Sequence, residues 1–575
     1  MGGSGLSADL PSSRRPSSSE PSSSEPSSGQ ASSAQVVVAG GGPVGLACAM
    51  ELGHRGISCL VIEPRITVSH ARPRCKTINV RSMQHLRRWG IAGRLRERSP
   101  LPPAWSSDIV FCTSLAGREL SRFTGVLGLV PDGDRFAELG QQAPQYVLEE
   151  LLRDAVQELP GCQLITGSAV TGVAQDGAGV RVTVTGPDGD TTVNADYLVG
   201  CDGPRSTVRE LIGAAYTGEM ALRPNFGLVF TAPDLWPRVR HGPAVQYWII
   251  NPAAPALVGP IDQCGTWWMI AFGVDAETGA REAGRLIDGA AGTAAGARVL
   301  ATDPWTARMQ IADRMRGGRV FLAGDAAHLN PPFGGHGLNT GLGDAVDLGW
   351  KLAAVLRGWG GPGLLNSYQA ERRPIQEQVI QAATANMRVT SPELLADDLD
   401  ADGPAGNRAR QAAGRRIQQA KRAEFHALDL VLGVRIDGSP VIAATPTGTS
   451  HPRPGGPWAG ALLPHAWLAP GRSLYDELGS GFTLLVRRPG GAHDSLEKAA
   501  QDRGVPLRVI DHADGTEAGL TGAGGTGQGS PALVLVRPDQ YVAWAGDREP
   551  ADARALIDQV TGWTGNQPAD TAGGS

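Results

Sequence analysis

Apolar side chains are sparse in the first 34 residues, and a clear hydrophobic pattern begins at position 35. The repeat PSSSEPSSSEPSS within residues 1–34 offers no apolar surface to bury, so we expect a disordered N-terminal extension there. Residues 36–39 then form an apolar run that predicts a buried strand. A glycine-rich turn, an apolar helix to about His54 and a second apolar strand closed by Glu63 follow in that order.

Further helices and strands continue this succession. A helix is predicted from about Arg81, and an amphipathic helix begins near Gln145. The alternating run VRVTVT and the Asp-Gly turn after it predict a hairpin. Its second arm leads into an apolar strand that ends at Gly200, and a helix follows from about Ser206. Strands that alternate with helices in this way predict an α/β fold.

Residues 216–300 have a different pattern, with short strands separated by turn residues. This pattern predicts an antiparallel sheet that forms a separate layer, and we expect residues 100–136 to add to it, which makes this domain discontinuous. The sheet is rich in tryptophan. Trp267 and Trp268 are adjacent, so they must point to opposite faces of their strand, and at most one of them lines a pocket.

The C-terminal quarter of the chain predicts a further small domain. Residues 386–449 are interpreted as a helical linker. Residues 450–575 then predict a strand, a helix, three strands and a helix. No cysteine occurs in this last region, so thiol redox chemistry is excluded there, and we interpret the domain as structural.

Composition narrows the functional classes. Of the 575 residues 41% are hydrophobic, and the net charge is −5, so neither a nucleic acid nor a membrane surface is an expected partner. No apolar run approaches the ~20 residues of a membrane span. The seven cysteines have no C-x-x-C spacing. We interpret them as reduced, buried thiols of a cytoplasmic protein, and no metal site is expected.

The first glycine-rich turn carries the strongest chemical signal. Gly40, Gly42 and Gly45 form G-x-G-x-x-G between the first strand and the first helix. In this arrangement Gly40 permits the tight turn, Gly42 lets a pyrophosphate approach, and Gly45 allows the helix to pack closely on the strand. Glu63, 23 positions after Gly40, is placed to accept hydrogen bonds from a ribose. The unit predicts adenine-dinucleotide binding.

A second glycine-rich stretch begins where the apolar strand at 319–323 ends. It contains Asp325, two prolines, five glycines and then a helix. Glycine allows close approach to the backbone, and the helix N-terminus offers free N–H groups with a partial positive charge. The stretch therefore predicts a site for a polar, partly anionic ring. Asp202, on the turn after Gly200, predicts a third polar element beside the cofactor.

Three other side chains near these motifs are also candidates for a role. Arg74 and Arg81 could contact phosphates, and the alternative for either is a place on a solvated face. His328 follows Asp325 in the segment GDAAH, and we interpret it as a structural hydrogen-bonding group.

Three motifs in this order resemble those of the group A flavin-dependent aromatic hydroxylases, which have the para-hydroxybenzoate hydroxylase fold. They are GGGPVG with Glu63, VGCDGPRSTVR at 199–209 and GDAAHLNPPFGGHGLN at 324–339. The C-terminal region resembles that of the larger phenol and aromatic-polyketide hydroxylases, with a thioredoxin-like domain. The resemblance implies a Rossmann-like FAD-binding domain at 35–385 with the sheet domain inserted into it. His336 and Gln84 differ from the residues most frequent in the family.

The resemblance also implies the cofactor and its contacts. FAD is the expected cofactor, and NAD(P)H is expected as a transient co-substrate because only one dinucleotide motif is present. NADH and NADPH remain equally open. The residues implied for FAD are Gly40, Gly42, Pro43, Val44, Gly45, Glu63, Arg74, Gln145, Val170, Asp202, Asp325, Pro332, Gly337, Leu338 and Asn339.

The activity that the resemblance implies is hydroxylation of an electron-rich aromatic substrate, phenolic or polyketide-like, by O2 through a flavin C4a-hydroperoxide. Trp248, Trp267 and Phe333 are the candidates for lining the substrate pocket, and His241 and His336 are the candidates for a base. No residue is needed as a nucleophile. A monomer or a homodimer is expected, and a role in secondary metabolism fits the polyketide hydroxylases.

Other activities on the same scaffold remain open. A Baeyer–Villiger or epoxidising monooxygenase uses the same cofactor chemistry, and a flavoprotein that binds a ligand without turnover is a third alternative. A flavin halogenase would need a tunnel lysine and a W-x-W-x-I-P motif. The segment GTWWMIAF does not match that motif, and the chain has only four lysines.

Overall fold

The computed structural model describes residue 1 and residues 33–71, 77–443, 458–487, 492–511 and 531–564. Nearly all of the extension expected at 1–34 lies outside these residues, and the first strand begins at Ser33. The described chain forms three principal sheets with helices packed on and between them.

The first sheet contains the dinucleotide motif. Its main path runs β16-β17-β10-β1-β2-β7, and β8 and β9 extend it as a meander beside β10. The pairs β1–β10, β1–β2, β10–β17 and β2–β7 are parallel. Apolar runs such as 36–38 are fully buried because helices cover both faces. The strands are β1 (Ser33–Ala39), β2 (Cys59–Glu63), β7 (Cys162–Thr166), β8 (Ala169–Gln175), β9 (Val180–Gly186), β10 (Gly189–Gly200), β16 (Arg316–Gly317) and β17 (Val320–Leu322).

The helices around this sheet begin close to the positions predicted from the sequence. The helix predicted from about Arg81 starts at Val80, and the one predicted near Gln145 starts there. A two-stranded ribbon of β3 (Thr77–Ile78) and β6 (Gln141–Gln142) joins these two regions. The helices are α1 (Pro43–Gly53), α2 (Val80–Arg88), α3 (Ala92–Arg98), α4 (Gln145–Gln157), α5 (Thr207–Leu211), α7 (Gly337–Leu356) and α8 (Pro362–Met387).

The second sheet has the order β18-β15-β11-β14-β13-β12-β4-β5. Its pairs are antiparallel except β12–β4, so the predicted antiparallel sheet is confirmed with one exception. Helix α6 (Ala276–Ala291) interrupts the predicted range and packs on one face, and the sequence analysis missed it. The strands are β4 (Ile109–Cys112), β5 (Glu119–Phe123), β11 (Tyr216–Thr231), β12 (Gln246–Ile249), β13 (Ala256–Pro260), β14 (Thr266–Phe272), β15 (Arg298–Ala312) and β18 (His328–Leu329).

The C-terminal sheet has the order β22-β21-β23-β24, with β21 and β22 parallel and the other pairs antiparallel. This strand order and its two helices agree with the thioredoxin-like arrangement expected from the sequence. Between it and the elements of the first sheet lie α9 (Gly403–Phe425) and α10 (Leu428–Leu432). The elements are β19 (Trp467–Ala469), β20 (Arg472–Ser473), β21 (Phe482–Val486), α11 (Asp494–Asp502), β22 (Leu507–Asp511), β23 (Leu533–Val536), β24 (Val542–Gly546) and α12 (Ala553–Val560).

A buried ionic network holds the C-terminal domain against the first. Arg537, just after β23, donates to Glu371 on α8 and to Asp347 on α7, and Lys351 donates to the same two carboxylates. All four side chains are buried. Because each charge has opposite charges in contact, the cost of burying it is offset, and removal of one partner would leave the others unpaired.

None of the helices within the described ranges is long and apolar enough to cross a membrane.

Four of the six described cysteines are buried and unpaired, as expected, but Cys264 is exposed and Cys201 is half-buried. The expectation that all cysteines are buried is therefore wrong at Cys264, which lies in the turn between β13 and β14.

Candidate functional site

Four neighbouring parallel strands of the first sheet end at the same edge. Ala39, the last residue of β1, lies opposite Ile62 on one side and Gly200 on the other, and Gly200 in turn lies opposite Leu322. The residues that follow these positions are therefore neighbours in space, although they are far apart in sequence. The edge carries, in spatial order, Glu63, the Gly40 turn, Asp202 and Asp325. The carboxyl edge of a parallel sheet is where α/β proteins bind ligands.

The glycine turn after β1 has the geometry that the sequence predicts. Gly40 has φ +101°, and a Cβ atom there would lie 2.4 Å from the carbonyl oxygen of Cys201. A Cβ at Gly45 would lie 1.9 Å from the carbonyl oxygen of Gly40, so the helix packs directly on the turn. At Gly42 a Cβ would meet nothing within 4 Å. The turn is thus tightly packed at Gly40 and Gly45 and open at Gly42, where a ligand would approach.

Glu63 closes the turn from the β2 side. Its Oε2 accepts a hydrogen bond of 2.6 Å from the N–H of Gly41. Its Oε1 accepts from the Nε of Arg65 at 2.6 Å, and Arg65 also pairs with Glu149 on α4 at 2.9 Å. Sequence reasoning missed Arg65 and Glu149, because nothing in their spacing marks them. Each carboxylate oxygen has two acceptor positions, so Glu63 keeps capacity for a ribose hydroxyl.

Asp202 is bound to the helix that follows it. Its carboxylate accepts hydrogen bonds from the hydroxyl of Ser206 and from the N–H of Val208 at 3.0 Å. Burial raises the pKa of Asp202, and the bond from Ser206 opposes that shift. This carboxylate therefore fixes the start of α5 and the turn beside Gly40. A direct contact to the cofactor stays a prediction.

Asp325 lies on the one-turn helix Gly324–Ala326, directly after β17. Its side chain is exposed, whereas its neighbours Gly324 and Ala326 are buried. The hydroxyl of Tyr216 donates to the carbonyl of Asp325, and Arg209 stacks on the Tyr216 ring at 3.9 Å. The turn is held from behind while its carboxylate faces outward, as a contact to a sugar or ribityl hydroxyl requires.

Asp344 on α7 organises this turn, and sequence reasoning missed it. Its Oδ2 accepts from the N–H of Gly324 at 3.1 Å and lies 3.0 Å from His328 Nε2. Its Oδ1 accepts from Arg372 Nε at 2.8 Å. Burial raises the pKa of Asp344, but Arg372 and His328 outweigh burial, and the pKa falls to about 2. The structural role predicted for His328 is confirmed by this contact.

The loop between β18 and α7, which we call the ring loop (331–336), leads into the N-terminus of α7. Gly334 and Gly335 have φ +92° and +67°, and the N–H of Gly335 donates to the carbonyl of Pro332. His336 precedes α7 without capping it by a side-chain hydrogen bond. The first turn of α7 contains no acidic residue, so its N–H groups and partial positive charge remain available to an anionic ring.

His336 is buried, and its Nε2 atom has no hydrogen-bond partner within the described chain. Burial lowers its pKa to about 4, so the ring is neutral at neutral pH. A buried polar atom without a partner is costly, so His336 lowers the stability of the ring loop.

Asn339, one turn into α7, holds the ring loop to the segment before α2. Its Oδ1 accepts from the N–H of Asn79 and the hydroxyl of Ser82, and its Nδ2 donates to the carbonyls of Thr77 and Gly335. The side chain is therefore fully engaged inside the protein. Only its backbone, with that of the half-buried Gly337 and Leu338, remains for a cofactor.

A second support of the ring loop comes from α9, in the segment interpreted as a linker. The carboxylate of Glu424 lies beside the N–H of Gly334, which lowers its pKa, although burial raises the pKa overall. Lys421 donates to Glu424 at 2.6 Å and to the carbonyl of Asn386 at 3.0 Å, and its Nζ lies 4.3 Å from the centre of the Trp248 ring. Lys421 and Glu424 are both buried, so α9 couples the ring loop to the second sheet.

The structure does not gather every residue that the sequence singled out. Arg74 lies outside the described residues. Arg81, considered for phosphate binding, is half-buried and donates to the carbonyl of Asp539 in the C-terminal domain, so that interpretation is wrong. Gln145 opens α4, and Val170 lies buried in β8, close to Glu63, whose carbonyl accepts from the N–H of Ser168.

The two histidines proposed as candidate bases are in different places. His336 lies at the ring loop. His241 is buried beside the second sheet, where its Nε2 lies 3.1 Å from the carbonyl oxygen of Ser114 and its Nδ1 lies 3.7 Å from Glu119. Burial lowers its pKa. These contacts give His241 a structural role away from the ring loop.

A cavity of about 250 Å³ lies between the second sheet and the ring loop. Phe333 lines it, as predicted. Trp248, also predicted to line it, packs against Phe333 with ring centres 6.2 Å apart but is not among the lining residues. Trp267 points to the opposite face of the sheet, where it contacts Trp236, so it does not line the pocket. Trp268 occupies the face of Trp248 instead. The lining residues are Ala221, Arg223, Asn225, Ala307, Phe333, Met387, Arg388 and Glu393.

These residues fit an FAD molecule. The open space before Gly42, the uncapped N-termini of α1 and α7 and the outward carboxylate of Asp325 follow one another along the strand edge. A dinucleotide with a flat, partly anionic ring needs this succession of donors and hydroxyl acceptors.

Comparisons with known proteins agree with this geometry. The family model of an FAD-binding domain matches residues 33–383, and that of the C-terminal region of aromatic-ring hydroxylases matches residues 456–567. Tetracenomycin B2 monooxygenase-dioxygenase of Streptomyces olivaceus is 32% identical over 556 residues, which cover 91% of this chain and 97% of that protein.

Two further relatives widen the comparison. The 2,4-dichlorophenol 6-monooxygenase of Delftia acidovorans is 30% identical over 568 residues, which cover 88% of this chain and 94% of that protein. The structure of the rebeccamycin biosynthetic enzyme RebC with reduced flavin superposes with a TM-score of 0.83 at 34% identity, covering 92% of this chain and 99% of that one.

Proposed function

We propose that this chain, which belongs to the family of FAD-dependent aromatic-ring hydroxylases, hydroxylates a phenolic or polyketide-like aromatic substrate in the cavity between the second sheet and the ring loop. The chain is a flavin-dependent monooxygenase, and NAD(P)H and O2 are its co-substrates. One observation carries the assignment of the site: Phe333 belongs both to the ring loop and to the cavity lining. A substrate in the cavity is therefore adjacent to the bound ring.

Bound FAD would accept electrons from NAD(P)H and would activate O2. The chain supplies the position and the electrostatic environment of its ring. The α7 N-terminus directs N–H groups at the ring, and these donors are already oriented because Asn339 and Glu424 hold the ring loop on two sides. Donors fixed before the reaction stabilise developing negative charge more than mobile water does.

An apolar aromatic cluster backs the cavity side of the second sheet. Trp248, Trp268 and Phe272 belong to one apolar cluster with Phe333. An aromatic substrate in contact with this cluster would replace the remaining water and lie against the ring loop. Close, fixed placement of two reactants lowers the entropic part of the barrier, so the cluster orients the substrate as well as protecting the reaction.

His336 is poorly suited to proton abstraction. A pKa near 4 makes its imidazole a weak base for a phenol, because an effective general base has a pKa near the operating pH. Its Nε2 atom is also enclosed by the protein. We therefore assign His336 no role in proton transfer and name no catalytic base.

The direct test is turnover by the FAD-loaded protein. We expect a yellow protein whose NAD(P)H oxidation rises when a suitable phenol is added, with one atom from ¹⁸O2 in a new ring hydroxyl. Incorporation of that atom into a lactone or an epoxide would instead establish the Baeyer–Villiger or epoxidising reaction. A protein that holds FAD but responds to no aromatic compound would contradict the proposed activity.

A substitution tests the strand edge. Because Asp325 is exposed at the edge where we place the cofactor, Asp325→Ala should weaken FAD retention roughly tenfold or more while the apoprotein still folds. Bound FAD per protein after gel filtration is the measurement. The control is Asp437→Ala, which removes an exposed carboxylate elsewhere. Equal FAD retention by both variants would contradict the assignment of Asp325.

A further inference from the structure

One hairpin turn of the C-terminal domain lies inside the protein and not on its surface. The turn at 537–541, which we call the docking turn, joins β23 to β24, and its residues Arg537, Asp539 and Gln540 are buried. Loops normally run over the surface, because a buried loop carries polar groups that must find partners. The insertion of the docking turn therefore depends on specific contacts with the rest of the molecule.

Gln540, near the tip of the docking turn, has a backbone conformation that favours glycine. Its φ is +73°, in the left-handed region where a Cβ atom causes strain. Such strain persists only where the surroundings hold the residue in place, and it is concentrated at positions with a function. The side chain of Gln540 contributes to this hold, because its Oε1 accepts a hydrogen bond from Arg81 on α2.

Arg81 binds three consecutive residues of the docking turn. Besides its bond to Gln540, its guanidinium donates to the carbonyl of Asp539 at 2.5 Å. It also lies 5.9 Å from the centre of the Tyr541 ring. The start of α2 is therefore fixed to the C-terminal domain at this turn.

The docking turn is fixed on its other side to α7 and α8. Arg537 donates to Asp347 on α7 at 3.0 Å and to Glu371 on α8 at 2.8 Å. These three side chains are buried, so the ion pairs are shielded from water and hold the turn in one place. The docking turn thus joins α2 to the helix whose N-terminus we place at the FAD ring.

Arg81 lies in the same turn of α2 as the two residues that contact Asn339. The N–H of Asn79 and the hydroxyl of Ser82 donate to Asn339 Oδ1 at 3.0 Å and 2.7 Å. Asn79 Oδ1 also accepts from the N–H of Ser82 at 2.9 Å, so this first turn of α2 is one fixed unit. Asn339 Nδ2 donates to the carbonyl of Gly335 at 2.7 Å. Hydrogen bonds and one turn of helix therefore connect the docking turn to the ring loop.

We propose that the C-terminal domain positions the FAD ring through the docking turn, and that Arg81 is the positioning residue that carries this support to the ring loop. The inference rests on the placement of the ring in the proposed function. Arg81 acts through its neighbours: it fixes the first turn of α2, and α2 fixes Asn339 and the N–H groups at the start of α7. Donors that are free to move stabilise the negative charge gained on reduction less well.

The test is the two-electron midpoint potential of the flavin in the full chain saturated with FAD, measured against a reference dye. Arg81→Met should lower this potential by about 30 mV, which corresponds to a tenfold loss of affinity for reduced relative to oxidised FAD. A purely structural role of Arg81 would lower the melting temperature and leave the potential unchanged. Arg81→Lys keeps a charged donor and should recover part of the shift.

Arg87→Met is the matched control. Arg87 lies in the last turn of α2 and bonds the same C-terminal domain, with Asp476 at 2.7 Å and the carbonyl of Gly471 at 2.9 Å. These contacts lie outside the docking turn and at the end of α2 that is farther from Asn79. The control should lower the melting temperature and leave the midpoint potential unchanged.

Two further variants locate the path. Gln540→Gly removes the acceptor for Arg81, and glycine adopts φ +73° without strain, so this variant should fold and still have a lower potential. Ser82→Ala removes a donor to Asn339 and should also lower the potential. Because Arg81 and Ser82 act on the same group, the double variant Arg81→Met, Ser82→Ala should shift the potential by less than the sum of the single shifts.

The outcomes separate this inference from the proposed function. Unchanged potentials in Arg81→Met and Gln540→Gly, or an equal shift in Arg87→Met, would overturn the role of Arg81, and additive shifts in the double variant would overturn the path through Asn339. A shift in Asn339→Ala with none in Arg81→Met removes this inference alone. If Asn339→Ala also keeps the original potential, the ring does not lie at the ring loop, and that part of the proposed function falls.

Discussion

The two faces of the second sheet are made by the same strands and serve different ends. On one, which we call the closed face, Phe226, Tyr247 and Trp267 pack with α6 in a wholly apolar cluster. On the other, the cavity face, Trp248 and Trp268 pack toward Phe333. Neighbouring residues alternate between the two, as strand geometry requires. A shift of one position along a strand therefore separates a residue of the closed face from a residue of the cavity face.

The faces also differ in how they treat polar groups. The closed face has a glycine at position 279 of α6, where a Cβ would lie 2.3 Å from the Phe226 ring, so no space is left. The cavity face carries Asn225 and Arg223, and Lys421 is buried against Trp248. Close packing stabilises the closed face, whereas the unpartnered Oδ1 of Asn225 on the cavity face costs stability. The two faces thus differ in both packing and polarity.

The strongest test of this difference between the two faces is to truncate Trp267 and Trp268 separately. Trp267→Ala should lower the free energy of unfolding by about 4 kcal/mol, because it opens a cavity in the closed face. Trp268→Ala should cost less stability and raise the KM for the aromatic substrate. Denaturant unfolding and steady-state kinetics of the two variants are the measurements.

Tyr247→Phe serves as the control for Trp267→Ala, because it keeps the ring on the closed face and removes only the hydroxyl that donates to Gly242. An equal change of KM in Trp267→Ala and Trp268→Ala would show that the two faces are not functionally distinct.

The next prediction concerns the buried ion pair of Lys421 and Glu424 on the cavity side of the second sheet. Lys421→Met leaves Glu424 buried without its partner and should destabilise the protein by roughly 3 kcal/mol or more. The double variant Lys421→Met, Glu424→Gln removes both charges and keeps an acceptor for the N–H of Gly334, so most of the loss should be recovered. Thermal melts of both variants test this. A double variant as unstable as the single one would mean that the pair does more than neutralise its own charges.

A third and smaller expected effect is the pH dependence of the folding stability that comes from His336. Burial holds the pKa of His336 at about 4, below its ordinary 6.5. The folded state thus binds this proton less readily than the unfolded state, and stability is lost as pH falls from about 6.5 to about 4. The loss should reach about 3 kcal/mol. His336→Asn should remove it, as unfolding measured across this range would show.

Asp344 provides an internal reference for that measurement. Its pKa is lowered from 3.8 to about 2, so the stability it contributes is present above pH 3.8 and lost only as pH falls toward 2. Unfolding of the unsubstituted protein and of His336→Asn in one pH series separates the two windows. If His336→Asn keeps the full loss between pH 6.5 and 4, another group is responsible for it.

The sequence alone determined the cofactor edge, because that part of the site is made of backbone. Positive φ at Gly40 and close packing at Gly45 demand glycine, and such demands leave a mark at fixed spacing in the chain. The ends of β1, β2, β10 and β17 were predictable for a related reason: buried parallel strands are apolar runs that stop at a turn. The three motifs are therefore sufficient to identify FAD as the cofactor.

Only the tertiary structure decided which side chains surround the substrate. Asn225, Phe333 and Arg388 come from a strand, a loop and a helix end, and nothing in their local sequence links them. Strand geometry alone required Trp267 and Trp268 to point to opposite faces of the sheet. Which of the two faces the ring loop depended on how the sheet packs. Arg81 turned inward for the same reason, to the C-terminal domain. Local backbone geometry can be inferred from the residue types at neighbouring positions, whereas contacts between distant segments exist only once the chain has folded.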